Sequence, residues 1–215
     1  MGSIYFLVMY RVYKQTIDIE TIKRLNQAID EASADESFEI LIPPKTTEIL
    51  TGTKEKLLAQ CREIVWPDDA YVVIRSVTEK GALAAQCWHF DNFRTTTLVV
   101  LRSTTGTDNG DLLVRSDLRG EPRSLFFYVL TKLFWTNPLT WLVLRIKFFR
   151  DKFFTRVPLE AGDVLVFDGG TTYHGNLPIT LGMRRSILIH SDPLFADAAI
   201  TKLFHTLNKL YLYKT

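Results

Sequence analysis

The sequence predicts a mainly β fold with flanking helices: a jelly-roll core, helices ahead of it and a helical insert within it. Three observations carry this reading. Short β-branched runs separated by tight turns occupy residues 71–115 and 163–190, the pattern of a sandwich or barrel. Helical periodicity is confined to residues 16–64, 124–155 and a C-terminal stretch. Candidate metal ligands fall on strand segments far apart in sequence, and the two-sheet mouth of a jelly roll can bring such segments together.

Residues 4–13 are apolar and short. No basic residue precedes them, no small-residue cleavage site follows, and Phe6 stands where a myristoylation motif needs Ser or Thr. They read as a buried strand. Residues 16–34 read as a helix, with Ile17, Ile22, Leu25 and Ile29 near helical spacing and Asp18, Glu20, Lys23, Asp30 and Glu31 on the other sides. Residues 38–42 form a short strand stopped by Pro43-Pro44, and residues 48–64 a second helix whose start Gly52 weakens.

After the turn at Pro67-Asp68-Asp69, strands are expected at residues 71–77, 84–89, 95–102 and 111–115, the last following an Asn109-Gly110 turn. Residues 124–135 and 139–154 break the β pattern as two helices separated by Thr136-Asn137-Pro138. Strands resume at 163–167, 171–174 and 186–190, and a final helix spans about 195–211.

At 215 residues the chain is expected to form one domain, 1–215, able to bury roughly 70% of its unfolded surface without disulfides. A net charge of +2 carries no electrostatic footprint for nucleic acid. Cys61 and Cys87 lack CxxC spacing and read as reduced thiols, which points to a cytoplasmic location. No run of 18 uncharged apolar residues is present, so no membrane-spanning helix is expected.

The chemistry is carried by Trp88-His89-Phe90-Asp91, by Tyr173-His174-Gly175 and by Arg184-Arg185-Ser186. His89 and Asp91 are i and i+2, so on a strand they share one face, with Trp88 and Phe90 on the other. With His174 they supply two imidazoles and a carboxylate, the facial ligand set of a non-haem Fe(II) oxygenase with three positions open. Arg184 and Ser186 also share a face and could grip a carboxylate by a charge-assisted fork and a hydroxyl. Arg185 is the alternative cation. His190 and His205 have no companion acid at ligand spacing and are expected to stay off the metal.

These segments, with Asn109-Gly110-Asp111-Leu112-Leu113 and the run from Gly162 to Asp168, resemble the Fe(II)/2-oxoglutarate-dependent dioxygenase superfamily over roughly residues 70–192. The likeness leans to its phytanoyl-CoA-hydroxylase-like and prolyl-hydroxylase-like branches. It implies a double-stranded β-helix (cupin-like) core, with His89, Asp91 and His174 as catalytic iron ligands. It further implies 2-oxoglutarate and O2 as co-substrates, with Arg184 and Ser186, or Arg185, holding the far carboxylate of 2-oxoglutarate. Related halogenases have a small residue at the carboxylate position. Asp91 there implies a hydroxylase or another oxidation without halide. A non-catalytic, cupin-like metal-binding or sensing module is the alternative.

Residues 124–155 lengthen the interval between the ligands. Nineteen apolar residues there, many aromatic, are interspersed with Lys132, Arg145, Lys147, Arg150 and Lys152, and Asp151 is the sole acid. Three readings stand. The segment is a hairpin packed on the β core, a lid over an apolar or lipid-like small-molecule substrate, or an amphipathic element giving peripheral membrane contact.

Overall fold

The computed structural model describes residues 10–32, 39–40, 44–62, 64, 66–68, 70–79, 88–104, 108–116, 118–122 and 124–195. The expected strands at residues 4–9 and 84–87, the final helix beyond residue 195, Cys87 and His205 lie outside these.

The elements run β1 (Tyr10–Tyr13), α1 (Ile19–Ala32), β2 (Glu39–Ile40), α2 (Pro44–Gln60), β3 (Tyr71–Thr78), β4 (Phe93–Arg102) and β5 (Leu112–Arg115). They continue with α3 (Leu125–Trp135), α4 (Pro138–Arg145), α5 (Lys147–Phe153), β6 (Thr155–Val157), β7 (Val164–Asp168), β8 (Tyr173–Asn176) and β9 (Met183–Pro193). Two sheets form, a major one in the order β1-β7-β4-β9-β3-β2 and a minor one in the order β6-β5-β8. Every pairing is antiparallel. The expected jelly-roll class is therefore what the chain adopts.

Strand periodicity sorts the core into layers. On β4, β7 and β9, the residues Val99, Leu101, Val164, Val166, Ile187 and Ile189 face outward and pack with Leu25, Ile29 and Leu57 of α1 and α2. Their neighbours Leu98, Val100, Leu165, Phe167 and Leu188 face inward and meet Leu112, Val114 and Val157 of the minor sheet. The minor sheet's outer face, with Leu113 and Tyr173, packs Trp88, Phe90, Leu144 and Phe154 under the insert. Both faces of β4, β7 and β9 are covered, which is why these strands read as unbroken apolar runs rather than alternating ones.

Local signals explain the helix ends. Asp18 accepts from the Thr21 backbone N–H at 2.8 Å and caps α1. Pro44 does not merely stop β2; it opens α2, four residues ahead of the expected start, where its missing N–H costs nothing. In the insert, Ser124 caps α3, and Asn137 caps α4 with Pro138 in the first turn. The single helix expected over 139–154 is two helices. Ile146 sits with extended backbone (ψ 117°) between α4 and α5 and offers no side-chain cap. The three-residue β6 was not expected. It follows the insert directly and pairs with β5 through Leu112↔Val157.

Candidate metal centre

His89 and His174 meet across an isolated antiparallel bridge, exchanging backbone hydrogen bonds of 2.9 and 3.0 Å. Two residues on, the Asp91 N–H donates to Gly169 O at 2.9 Å, in the turn between β7 and β8. Residues 88–91 therefore cross the mouth between the sheets without forming a regular strand. The expected side-chain alternation survives: Trp88 and Phe90 are fully buried in the outer cluster, and His89 and Asp91 point the other way.

Two glycines make this crossing possible. A Cβ on Gly169 would lie 2.6 Å from Thr96 Oγ1 and 2.8 Å from Asp91 Oδ2, and one on Gly175 would enter the Trp88 ring. Only a bare backbone fits at either position.

One ligand atom from each of His89, Asp91 and His174 lies within 4.8 Å of the other two. Asp91 Oδ1 is 3.4 Å from His89 Nε2 and 3.7 Å from His174 Nε2. Donors at about 2.1 Å from a divalent ion and at right angles to one another stand roughly 3 Å apart, so a small contraction closes the site. His174 Nδ1 lies 3.0 Å from Thr172 O, which can only accept. The proton is therefore on Nδ1, and Nε2 presents its lone pair to the cluster. The donor set fits a divalent transition metal.

Electrostatics favour the ligand forms. Burial alone would raise the Asp91 carboxyl, but His174, His89 and His190 reverse this and hold it well below the usual carboxylate range. Burial pushes His174 down to about 4 against the pull of Asp91, so at neutral pH its imidazole is neutral. Asp91 Oδ2 accepts from Thr96 Oγ1 at 2.6 Å, which leaves Oδ1 for a metal. Thr96 Oγ1 in turn lies 3.0 Å from His190 Nδ1. Thr96 carries no motif signal, and His190, expected to stay off the metal, acts here only behind Asp91. The signal was the β4–β9 register, Thr96↔His190, which needs the fold to be seen.

The three candidate co-substrate residues separate by face. Arg184 and Ser186 line one inter-sheet cavity with Leu98, Val100, Gly110 and Leu112. Arg184 donates to Gly110 O at 2.9 Å and to Asn176 Oδ1. No carboxylate bonds it among the described residues. Burial, together with Arg75, pushes its guanidinium down to about 9. Arg185 points to the opposite face and bonds Ser76, Asn26 and Asp30. A larger groove of about 500 Å³, lined by Thr21, Arg24, Gln27 and Lys56, lies between α1 and α2, behind the major sheet.

The insert braces the cluster from outside. Trp141 Nε1 donates to Trp88 O at 3.3 Å, Lys132 Nζ to Asn92 Oδ1 at 2.7 Å, and Tyr173 Oη to Trp135 O at 2.6 Å. Trp88, Asn92 and Tyr173 are the chain neighbours of His89, Asp91 and His174. The insert is thus helical and packed on the β core.

The chain is similar to solved structures. HygX from Streptomyces hygroscopicus, crystallised with iron bound, superposes with a TM-score of 0.59 at 14% identity over 87% of this chain and 83% of that one. The likeness is one of fold. A HygX structure with nickel and 2-oxoglutarate bound gives 0.57 at 14% identity over 87% of this chain and 84% of that one. SnoN, a non-haem alpha-ketoglutarate-dependent epimerase from nogalamycin biosynthesis, gives 0.55 at 15% identity over 89% and 83%. A prolyl 4-hydroxylase from Phytophthora capsici gives 0.56 at 14% identity over 95% and 69%. No protein-family model and no curated protein matches the sequence.

Proposed function

We propose that the protein is an Fe(II)- and 2-oxoglutarate-dependent oxygenase in which His89, Asp91 and His174 hold iron and Arg184 with Ser186 holds the far carboxylate of 2-oxoglutarate. The observation that carries the reading is a half-buried guanidinium with no bonded carboxylate among the described residues, set one short step from the three-ligand cluster. His174 and Asn176 occupy the same face of β8, a rise of about 7 Å apart, and Arg184 donates to Asn176. A five-carbon dicarboxylate spans that distance. A cation partly withdrawn from water and held beside a hydroxyl favours an incoming anion. HygX and SnoN, which share the fold, bind or depend on this keto acid.

Bound iron, 2-oxoglutarate and O2 would supply the oxidising power to place oxygen at a C–H bond. The chain's own residues do the rest. Thr172 fixes the His174 tautomer, and Thr96 holds Asp91 Oδ2 so that one carboxylate oxygen faces the metal. Leu98, Val100, Leu112 and Val157 exclude water around the keto acid. Hydroxylation of a small molecule is the outcome we assign, and the apolar insert beside the site favours an apolar or lipid-like one.

The test is succinate formation from 2-oxoglutarate under air with Fe(II), alongside the anaerobic metal-to-ligand absorption band. Wild type should give both and His174→Ala neither. A band without succinate, with candidate substrates present, would instead identify a metal-binding or sensing module. Absence of the band would sink the proposal.

A further inference from the structure

We infer that the outer surface of α3, α4 and α5 is a docking face for an anionic lipid surface. Eleven of the fourteen large apolar residues that stand exposed among the described residues fall between residues 126 and 149. On α3 they are Phe126, Phe127, Leu130, Leu133 and Phe134, at i, i+1, i+4, i+7 and i+8. That is one apolar stripe, with Phe126 73% exposed. On α4 they are Leu139, Leu142 and Val143, followed by Ile146, again a single stripe.

The inner faces of α4 and α5 pack on the cluster over the minor sheet, through Leu144, Trp141 and Phe153. Trp135 of α3 joins the same cluster. The outer stripes therefore all point away from that sheet. At about 200 Å² per large side chain, the exposed apolar area is on the order of 1,000 Å². The largest patch on an ordinary soluble monomer is about half that or less. Helices apolar on both sides need a second apolar phase.

Charge selects the occupant. Residues 124–155 carry five cations against one acid. That acid, Asp151, is paired with the buried Arg150 at 3.3 Å. The exposed cations Arg145 and Lys152 border the apolar stripes, Lys152 lying 4.3 Å from the Phe148 ring centre, while Lys147 is paired with Asp108 at 2.7 Å. A second copy of the chain would set Arg145 and Lys152 against their own kind, since the one acid of the insert is already paired with Arg150. A layer of anionic headgroups over acyl chains matches both features. No described helix is long and apolar enough to cross a membrane, so the contact is with one leaflet.

The experiment is flotation of the full chain, metal-free, with vesicles of phosphatidylcholine alone and of phosphatidylcholine with 30% phosphatidylserine. Leaving out metal keeps the result independent of the iron proposal. Binding should be at least tenfold stronger to the anionic vesicles and should weaken steeply with salt. Phe126→Ser/Phe134→Ser/Leu142→Ser should cut partition tenfold or more on both. Arg145→Glu/Lys152→Glu should remove the anionic preference alone. Both variants should keep the wild-type circular dichroism and melting temperature, because the changed side chains are exposed. No partition onto either vesicle overturns the inference. So does a wild-type dimer that the serine variant dissociates, which would make the face a contact between copies.

Discussion

Arg184 and Arg185 are adjacent, and replacing each by Met should have opposite consequences. Arg184 is half-buried before any ligand arrives, so part of the loss of its hydration falls on folding and not on binding. If it holds the far carboxylate of 2-oxoglutarate, Arg184→Met removes one partner of a buried charge pair, about 3–5 kcal/mol. At 1.4 kcal/mol per tenfold, the Kd for 2-oxoglutarate rises by roughly two to three and a half orders of magnitude. Stability changes little, because hydrogen bonds to Gly110 O and Asn176 are lost together with a half-buried cation. Arg185→Met loses bonds to Ser76 Oγ at 2.9 Å, Asn26 Oδ1 at 3.0 Å and Asn26 O at 3.2 Å, and the 2.6 Å pair with Asp30. At about 1 kcal/mol for each, the cost is about 3–4 kcal/mol. For a chain of this size that lowers Tm by roughly 6–15 °C, with Kd unchanged. Calorimetric titration of the Mn(II)-loaded protein with 2-oxoglutarate, beside thermal melts, reads both quantities. A Kd for Arg184→Met within threefold of wild type, or an equal rise for Arg185→Met, would refute the assignment.

Three further outcomes follow from the site. Thr96→Val strips Asp91 Oδ2 of its 2.6 Å donor and should weaken Co(II) binding by about 10- to 100-fold, with Thr96→Ser restoring it; unchanged affinity in equilibrium dialysis would show that Thr96 does not position the carboxylate. Gly169→Ala places a methyl group against Thr96 and Asp91 and should cost about 1–3 kcal/mol and most of the metal affinity, measured by denaturation and dialysis; a variant that binds metal normally contradicts the close approach. The His174 imidazole is held down to about 4, so between pH 6.5 and 4 the unfolded chain binds a proton that the native chain does not. Metal-free stability is thus full above pH 6.5 and is lost as pH falls towards 4. Urea denaturation across that range should show the slope in wild type and not in His174→Phe, and equal slopes would remove His174 as its source.

The strands were legible because their chemistry is local. The runs 95–102, 163–167 and 186–190 appear as β4, β7 and β9 within a few residues, since β-branched residues between turns have few alternatives. The triad was legible because His-x-Asp spacing fixes two ligands on one side whatever the exact backbone. Less visible were the α4–α5 break at Ile146, set by backbone conformation rather than composition, and the three-residue β6, which exists only through its pairing with β5.

By itself, then, the sequence determined the fold class, the His89–Asp91–His174 donor set and the presence of an apolar, cationic insert. Each follows from residue type and short-range periodicity. Tertiary structure decided which arginine faces the inter-sheet cavity, that Thr96 and His190 stand behind Asp91, and that the insert's inner face braces the residues beside all three ligands. It also decided that the insert's outer stripes stand exposed among the described residues. These depend on the register of strands up to about a hundred residues apart, and register is set by the packing of the whole core rather than by any local run of residues.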